Sequence, residues 1–264
     1  MDNQLQHKIY IPKENAKMPA TFIMICFLAF VISITITIYF CISMGGEMQM
    51  PGGWTMSMMW MRMPGETWFT SSLSFILMWL TMMVAMMIPS ALPMFLKIKR
   101  QWYYLCYTAI GYFTIWLLAG IGFYILGVMF ANAAMQSEFL SNAVPFFFGV
   151  ILVLAGTYQF TRLKITNLLH CRSPFGCAIS TLQHETSVQL GCKQGIVCFA
   201  CCSGLMTAQL ILGIMNPLIM ATVAIAITVE KFLPRPIITV RLVGIAAIIA
   251  GITTVIHWAM LNYN

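Results

Sequence analysis

Charged side chains are scarce in this sequence: 8% of its 264 residues are Asp, Glu, Lys or Arg, where a soluble domain carries about 25%. With 60% hydrophobic residues and a mean hydropathy of +0.86, the scarcity excludes an ordinary aqueous fold. A polytopic membrane protein is predicted, with lipid replacing water around most of its surface. Acidic residues are the rarest charges, seven in all. None of them is paired with another, and no nucleophile stands beside a base, so an enzyme is not expected. Histidine is also sparse: His170, His184 and His257 do not supply the buried pair that a haem wants. No phosphate-binding run is present, so no nucleotide and no ATP-driven pumping are expected. A net charge of +7 would suggest nucleic acid in a soluble protein. Here the basic residues fall between apolar runs and read as topology signals, leaving no case for a nucleic-acid partner.

What the chain does have is apolar length. Seven runs approach the roughly 20 residues that a bilayer core requires, at about 20 to 43, 69 to 96, 105 to 130, 142 to 163, 192 to 213, 215 to 233 and 237 to 259. An all-α membrane helix bundle of about seven transmembrane helices follows. The first run exceeds the apolar region of a signal peptide and reads as a retained anchor. Placing the N-terminus in the cytoplasm and the C-terminus outside puts every Lys and Arg except Arg62 on the inner side, as the positive-inside rule asks. The fifth and sixth runs share a turn near Gly213 and Pro217, and a re-entrant hairpin there would leave the same charge pattern. The expected organisation is a cytoplasmic tail, 1–18, and a single transmembrane domain, 19–264. That domain carries a Met-rich outer loop, 44–68, and a Cys/His inner loop, 164–191.

Sulfur is abundant, with 23 Met and nine Cys. In the second span, Met78, Met82 and Met86 stack on one helix edge, with Met83 and Met87 on the next. Thioether sulfur is a soft ligand suited to Cu(I); equally, Met is a flexible apolar filler and the ladder is helix packing. The outer loop holds Met44, Met48, Met50, Met56, Met58, Met59, Met61 and Met63. An exposed loop has little core to fill, so these read either as Cu(I) capture sites or as a membrane-surface segment anchored by Trp54, Trp60 and Trp68. No cysteine lies in a predicted outer loop, so a disulfide framework is not expected. Cys198, Cys201 and Cys202, at helical spacing of three and four, can converge on one soft metal, with Met206 one turn further. If the second and fifth spans touch, ladder and thiols meet at similar depth, near the backbone carbonyls that Pro89 and Pro93 would free. On the inner loop, His170, Cys171, Cys177, His184 and Glu185 could receive or release a metal, or belong to an ordinary interfacial loop. Glu230 is expected to pair locally with Lys231, and His257 to be packed or snorkelling.

Gly111-Tyr112 to Trp116, Gly156-x-Tyr158-Gln159, Leu163-Lys164, Cys171-Arg172-Ser173-Pro174, Gly195 to Met206, Gly213-x-Met215-Asn216 and Glu230-Lys231 together resemble the predicted metal-binding integral membrane protein family, often labelled copper chaperone. With the run AMMxPSALPM in the second span, the resemblance extends from about Trp79 to Pro234. It departs at Asn167, where the family pattern has Cys, and at Val197, Ala200 and Ser203, where it has Tyr, Gly and Trp; the triplet Cys198, Cys201 and Cys202 is kept. The resemblance implies metal handling.

Two functions are therefore expected to compete. One is Cu(I) binding through Cys198, Cys201, Cys202, Cys171, Met78, Met82, Met86 and Met206, for transfer, delivery or uptake, with a copper-dependent membrane enzyme or a soluble metallochaperone as partner. The other is a non-catalytic assembly subunit of a larger membrane complex in which Met and Cys are packing. The expected location is the bacterial inner membrane.

Overall fold

The computed structural model describes residues 20–44, 46–50, 52–61, 67–97, 102–172, 186–233 and 236–263. The tail 1–18, Arg62, Met63, Cys177, His184 and Glu185 lie outside the described residues. In chain order the elements are α1 (Ala20–Met44), β1 (Glu47–Met50), β2 (Trp54–Ser57), a 3-10 turn (Met58–Trp60), α2 (Trp68–Lys97), α3 (Trp102–Gln136), α4 (Glu138–Tyr158), α5 (Arg162–Arg172), α6 (Ser187–Gly213), α7 (Pro217–Phe232) and α8 (Pro236–Tyr263).

Six of the described helices, α1 to α4, α6 and α8, are long and apolar enough to cross a bilayer. The protein is a multi-pass membrane helix bundle. The sixth predicted span is α7, whose 16 residues reach about 24 Å, short of a full apolar crossing. Its start is sharply defined: Gly213 adopts φ +127° at the end of α6, Asn216 caps the amides of Leu218 and Ile219, and Pro217 takes the first helical position, where no amide donor is needed.

Two local structures differ from the sequence expectation. The Met-rich segment is not simply an exposed loop. It forms an antiparallel β1–β2 hairpin, turned by Gly52 and Gly53, both at positive φ, and it folds back on the helices. Met56 and Met59 are buried, the Trp60 ring lies 5.1 Å from that of Phe75, and the Trp54 indole N–H donates to the Ser141 carbonyl at 2.9 Å. The predicted inner loop, in turn, begins as the helix α5.

Glycine lets the long helices approach closely. α3 lies along α6 and α4 along α8; a Cβ on Gly149 would sit 2.8 Å from the Gly251 carbonyl oxygen, and one on Gly191 would collide with the Thr108 carbonyl. A backbone carbonyl cannot swing aside as a side chain can. Gly191→Ala is therefore expected to destabilise the bundle by about 1–3 kcal/mol, the usual cost of overpacking. Gly122→Ala, whose new methyl meets nothing within 4 Å, should leave stability unchanged or slightly raised. Thermal unfolding in detergent, followed by helical circular dichroism, compares the two.

The core is centred on α2, which runs unbroken through Pro89 and Pro93. Met78, Met82, Met83, Met86 and Met87 are all buried and belong to one apolar cluster with Tyr112, Trp116, Cys171, Cys198, Cys201, Cys202 and Met206. The Trp79 indole N–H crosses to the Trp116 carbonyl at 2.9 Å and fixes α2 against α3.

Candidate metal centre

α5 is polar overall, RLKITNLLHCR, yet Lys164, Leu168 and Cys171 recur at helical spacing and form one buried edge. That edge packs on α6. It buries the Cys171 thiol in the same cluster as Cys198, Cys201 and Cys202. On α6 itself the Cys198 and Cys202 sulfurs are 4.0 Å apart. Two helices thus bring four thiols into one buried cluster, whose most accessible member, Cys171, is 8% exposed.

A thiolate–metal bond of about 2.3 Å, the value for zinc, sets two ligands near 4.0 Å apart at trigonal geometry; the Cys198–Cys202 pair has that spacing. Among the described residues, no group of three or more His, Cys, Asp or Glu side chains could hold a metal ion as they stand.

Met82 sits beyond the thiols along the bundle, whereas Met87 reaches their level through Ser90 and Lys231. The Gln209 amide nitrogen lies 3.3 Å from the Met82 sulfur, and Gln209 is seven residues, or about 10 Å, beyond Cys202 on α6. Further along α2, Ser90 joins the thiol end through Lys231, which donates to Ser90 Oγ at 3.1 Å and to Cys198 Sγ at 3.2 Å. The two helices therefore run antiparallel, and Met86 falls between these levels, in the same buried cluster as Met206. The result is a buried column of thioethers, Met78, Met82, Met86 and Met206, leading to the cysteines. All eight predicted ligands are buried.

The sequence reading missed the polar frame around the thiols. Cys198 Sγ accepts from the Tyr112 hydroxyl at 2.9 Å as well as from Lys231 Nζ, an arrangement that can offset negative charge on sulfur without water. Glu230 does not pair with its neighbour Lys231. Its Oε2 accepts from Lys164 Nζ at 2.8 Å, and Lys164 also donates to the Cys201 carbonyl at 2.6 Å. Both partners of the Lys164–Glu230 bridge are almost fully buried, with side chains 1% and 2% exposed. Two adjacent residues on one helix point to different neighbours, so the expected local pair gives way to a pair between α5 and α7. Lys164 and Lys231 had read as interfacial topology charges. The only signal of another role was that Tyr112, Lys164 and Lys231 fall inside the segments that carry the family resemblance.

A family model described as PpoB2, copper chaperone, matches residues 76–254. No curated protein and no solved structure matches the chain.

Proposed function

The chain belongs to the PpoB2 copper chaperone family, and from that membership we propose that it is a non-catalytic carrier that binds Cu(I) at Cys171, Cys198, Cys201 and Cys202. The observation that carries the reading is the burial of Cys171, brought in on a second helix, in one cluster with Cys198, Cys201 and Cys202. Three thiols on one helix can arise as small apolar packing residues; a fourth, brought in by a polar helix, makes a soft-donor cluster that packing alone does not require. Cys198 and Cys202 supply two ligands at existing spacing, and a small rotation of Cys171 or Cys201 supplies a third. Thiolate charge in excess of the single charge of Cu(I) is offset by Lys231, which already touches the Cys198 sulfur.

The thioether column of Met78, Met82, Met86 and Met206 is the route by which copper reaches the thiols, since thioethers bind Cu(I) softly while carrying no charge that would trap it. In the orientation that the basic residues favour, the hairpin lies outside and the thiol cluster toward the cytoplasm, in a bacterial inner membrane. The recipient is a copper-dependent membrane enzyme or a soluble metallochaperone. The assembly-subunit reading has one observation in its favour: every sulfur of the column belongs to the packed core.

Metal retention separates the two readings. Full-length protein purified in detergent, loaded with ascorbate-reduced Cu(I) and desalted, is expected to keep copper, as read by mass spectrometry of the metal content. Copper at background in the loaded protein would leave the sulfurs as packing.

A further inference from the structure

A second soft-donor pair lies outside the thiol cluster. Cys41, on the last turn of α1, directs its sulfur to the Met220 sulfur on the first turn of α7 at 3.9 Å, and the contact is buried. Both side chains line a cavity of about 460 Å³ between α1, α2 and α7, which Met86 also lines. One turn before Cys41, the Thr37 hydroxyl faces the same cavity; it is 6% exposed and has no hydrogen-bond partner among the described residues. A buried hydroxyl usually finds a partner, and this one can turn to the Cys41 sulfur or to a ligand held there.

We propose that Cys41 and Met220 form a second Cu(I) site, at the hairpin end of the α1–α2–α7 cavity, with Met86 as the link to the thioether column. The thiol–thioether separation is close to the about 4.0 Å between two sulfurs that share one ion at trigonal geometry with bonds of about 2.3 Å. The Cys41 thiol gives up its proton to bulk water as the metal binds, so one thiolate and one Cu(I) form a neutral unit that an apolar cavity can hold. Thr37 then donates its free hydroxyl to the thiolate. Helix geometry sets the order of the sites. Cys41 lies three residues before the end of α1 and Met220 three after the start of α7, so both stand near the hairpin end. Met86 lines the cavity on one side and belongs to the column leading to the thiols on the other.

This site does not depend on the thiol cluster, and the experiment keeps them apart. Cu(I) is titrated into full-length protein in detergent against a chromophoric Cu(I) chelator. The chains are wild type, Cys198→Ser/Cys201→Ser/Cys202→Ser, and that triple variant with Cys41→Ser or Met220→Leu added. Retention of one Cu(I) by the triple variant, and its loss on adding either substitution, is the expected result. A triple variant that holds no copper while wild type does would overturn the second site and leave the first standing. Copper that survives the added substitutions would also overturn it, by placing the metal elsewhere. A second readout uses chains with the thiol cluster intact: Cu(I) should shield Cys41 from alkylation, mapped by peptide mass spectrometry. Met220→Leu should weaken that shielding by more than the roughly tenfold that loss of an outer-shell partner costs a metal site. Equal alkylation of Cys41 with and without Cu(I) in wild type would contradict the proposal.

Discussion

Lys164→Met is expected to be the most damaging single substitution in the chain, lowering stability by about 3–5 kcal/mol, the cost of removing one partner from a buried ion pair. Lys164 is fully buried, its Nζ held between Glu230 Oε2 and the Cys201 carbonyl. Removing it strands the buried Glu230 carboxylate, whose Oε1 already lacks a hydrogen-bond partner among the described residues. For a chain of this size the loss corresponds to a fall in unfolding temperature on the order of 10 °C. The double variant Lys164→Met/Glu230→Met is expected to recover most of it, since replacing a whole buried pair by apolar side chains is close to neutral. Thermal unfolding of the three proteins in one detergent provides the comparison. A double variant as unstable as the single would place the cost in lost packing rather than in the stranded charge.

Cys198→Ser/Cys201→Ser/Cys202→Ser is expected to lose the copper held at the thiol cluster while keeping its fold. Serine is close in size to cysteine, so helix packing survives, whereas a hydroxyl is a hard donor and does not replace a thiolate on Cu(I). Cys171→Ser alone should weaken retention without abolishing it, because Cys198 and Cys202 keep their spacing. Competition with a Cu(I) chelator distinguishes the three proteins. Unchanged helical circular dichroism and a monodisperse elution profile identify the triple variant as folded. Wild-type copper binding by a folded triple variant would remove the cluster from the copper pathway.

The bundle was legible in the sequence because scarce charge and long apolar runs are signals that each segment carries alone. What the sequence hid depends on which surfaces meet. α5 reads as a loop because Arg162, Lys164, Asn167, His170 and Arg172 outweigh its apolar residues; only its edge of Lys164, Leu168 and Cys171, laid against α6, makes it part of the interior. The hairpin was obscured by Met, a weak strand signal, although Pro51-Gly52-Gly53 marked its turn. The candidate ligands were identifiable as soft donors at helical spacing. Their frame of Tyr112, Lys164, Lys231 and Ser90 was not, because those residues lie on four different helices and come together only through tertiary packing, Tyr112 and Lys231 at the Cys198 sulfur, Lys164 at the Cys201 carbonyl and Ser90 at Lys231. Lys164 and Lys231 illustrate the difficulty: a lysine at the end of an apolar run looks like a topology signal whether its ammonium faces phosphate headgroups or a buried sulfur.

The most direct test of copper binding by sulfur is X-ray absorption at the copper edge of the Cu(I)-loaded, full-length protein. A shell of sulfur scatterers alone, near the roughly 2.3 Å of a thiolate–metal bond, is the predicted result. A shell of nitrogen or oxygen near about 2.0 Å, the distance of an imidazole or carboxylate ligand, would contradict it.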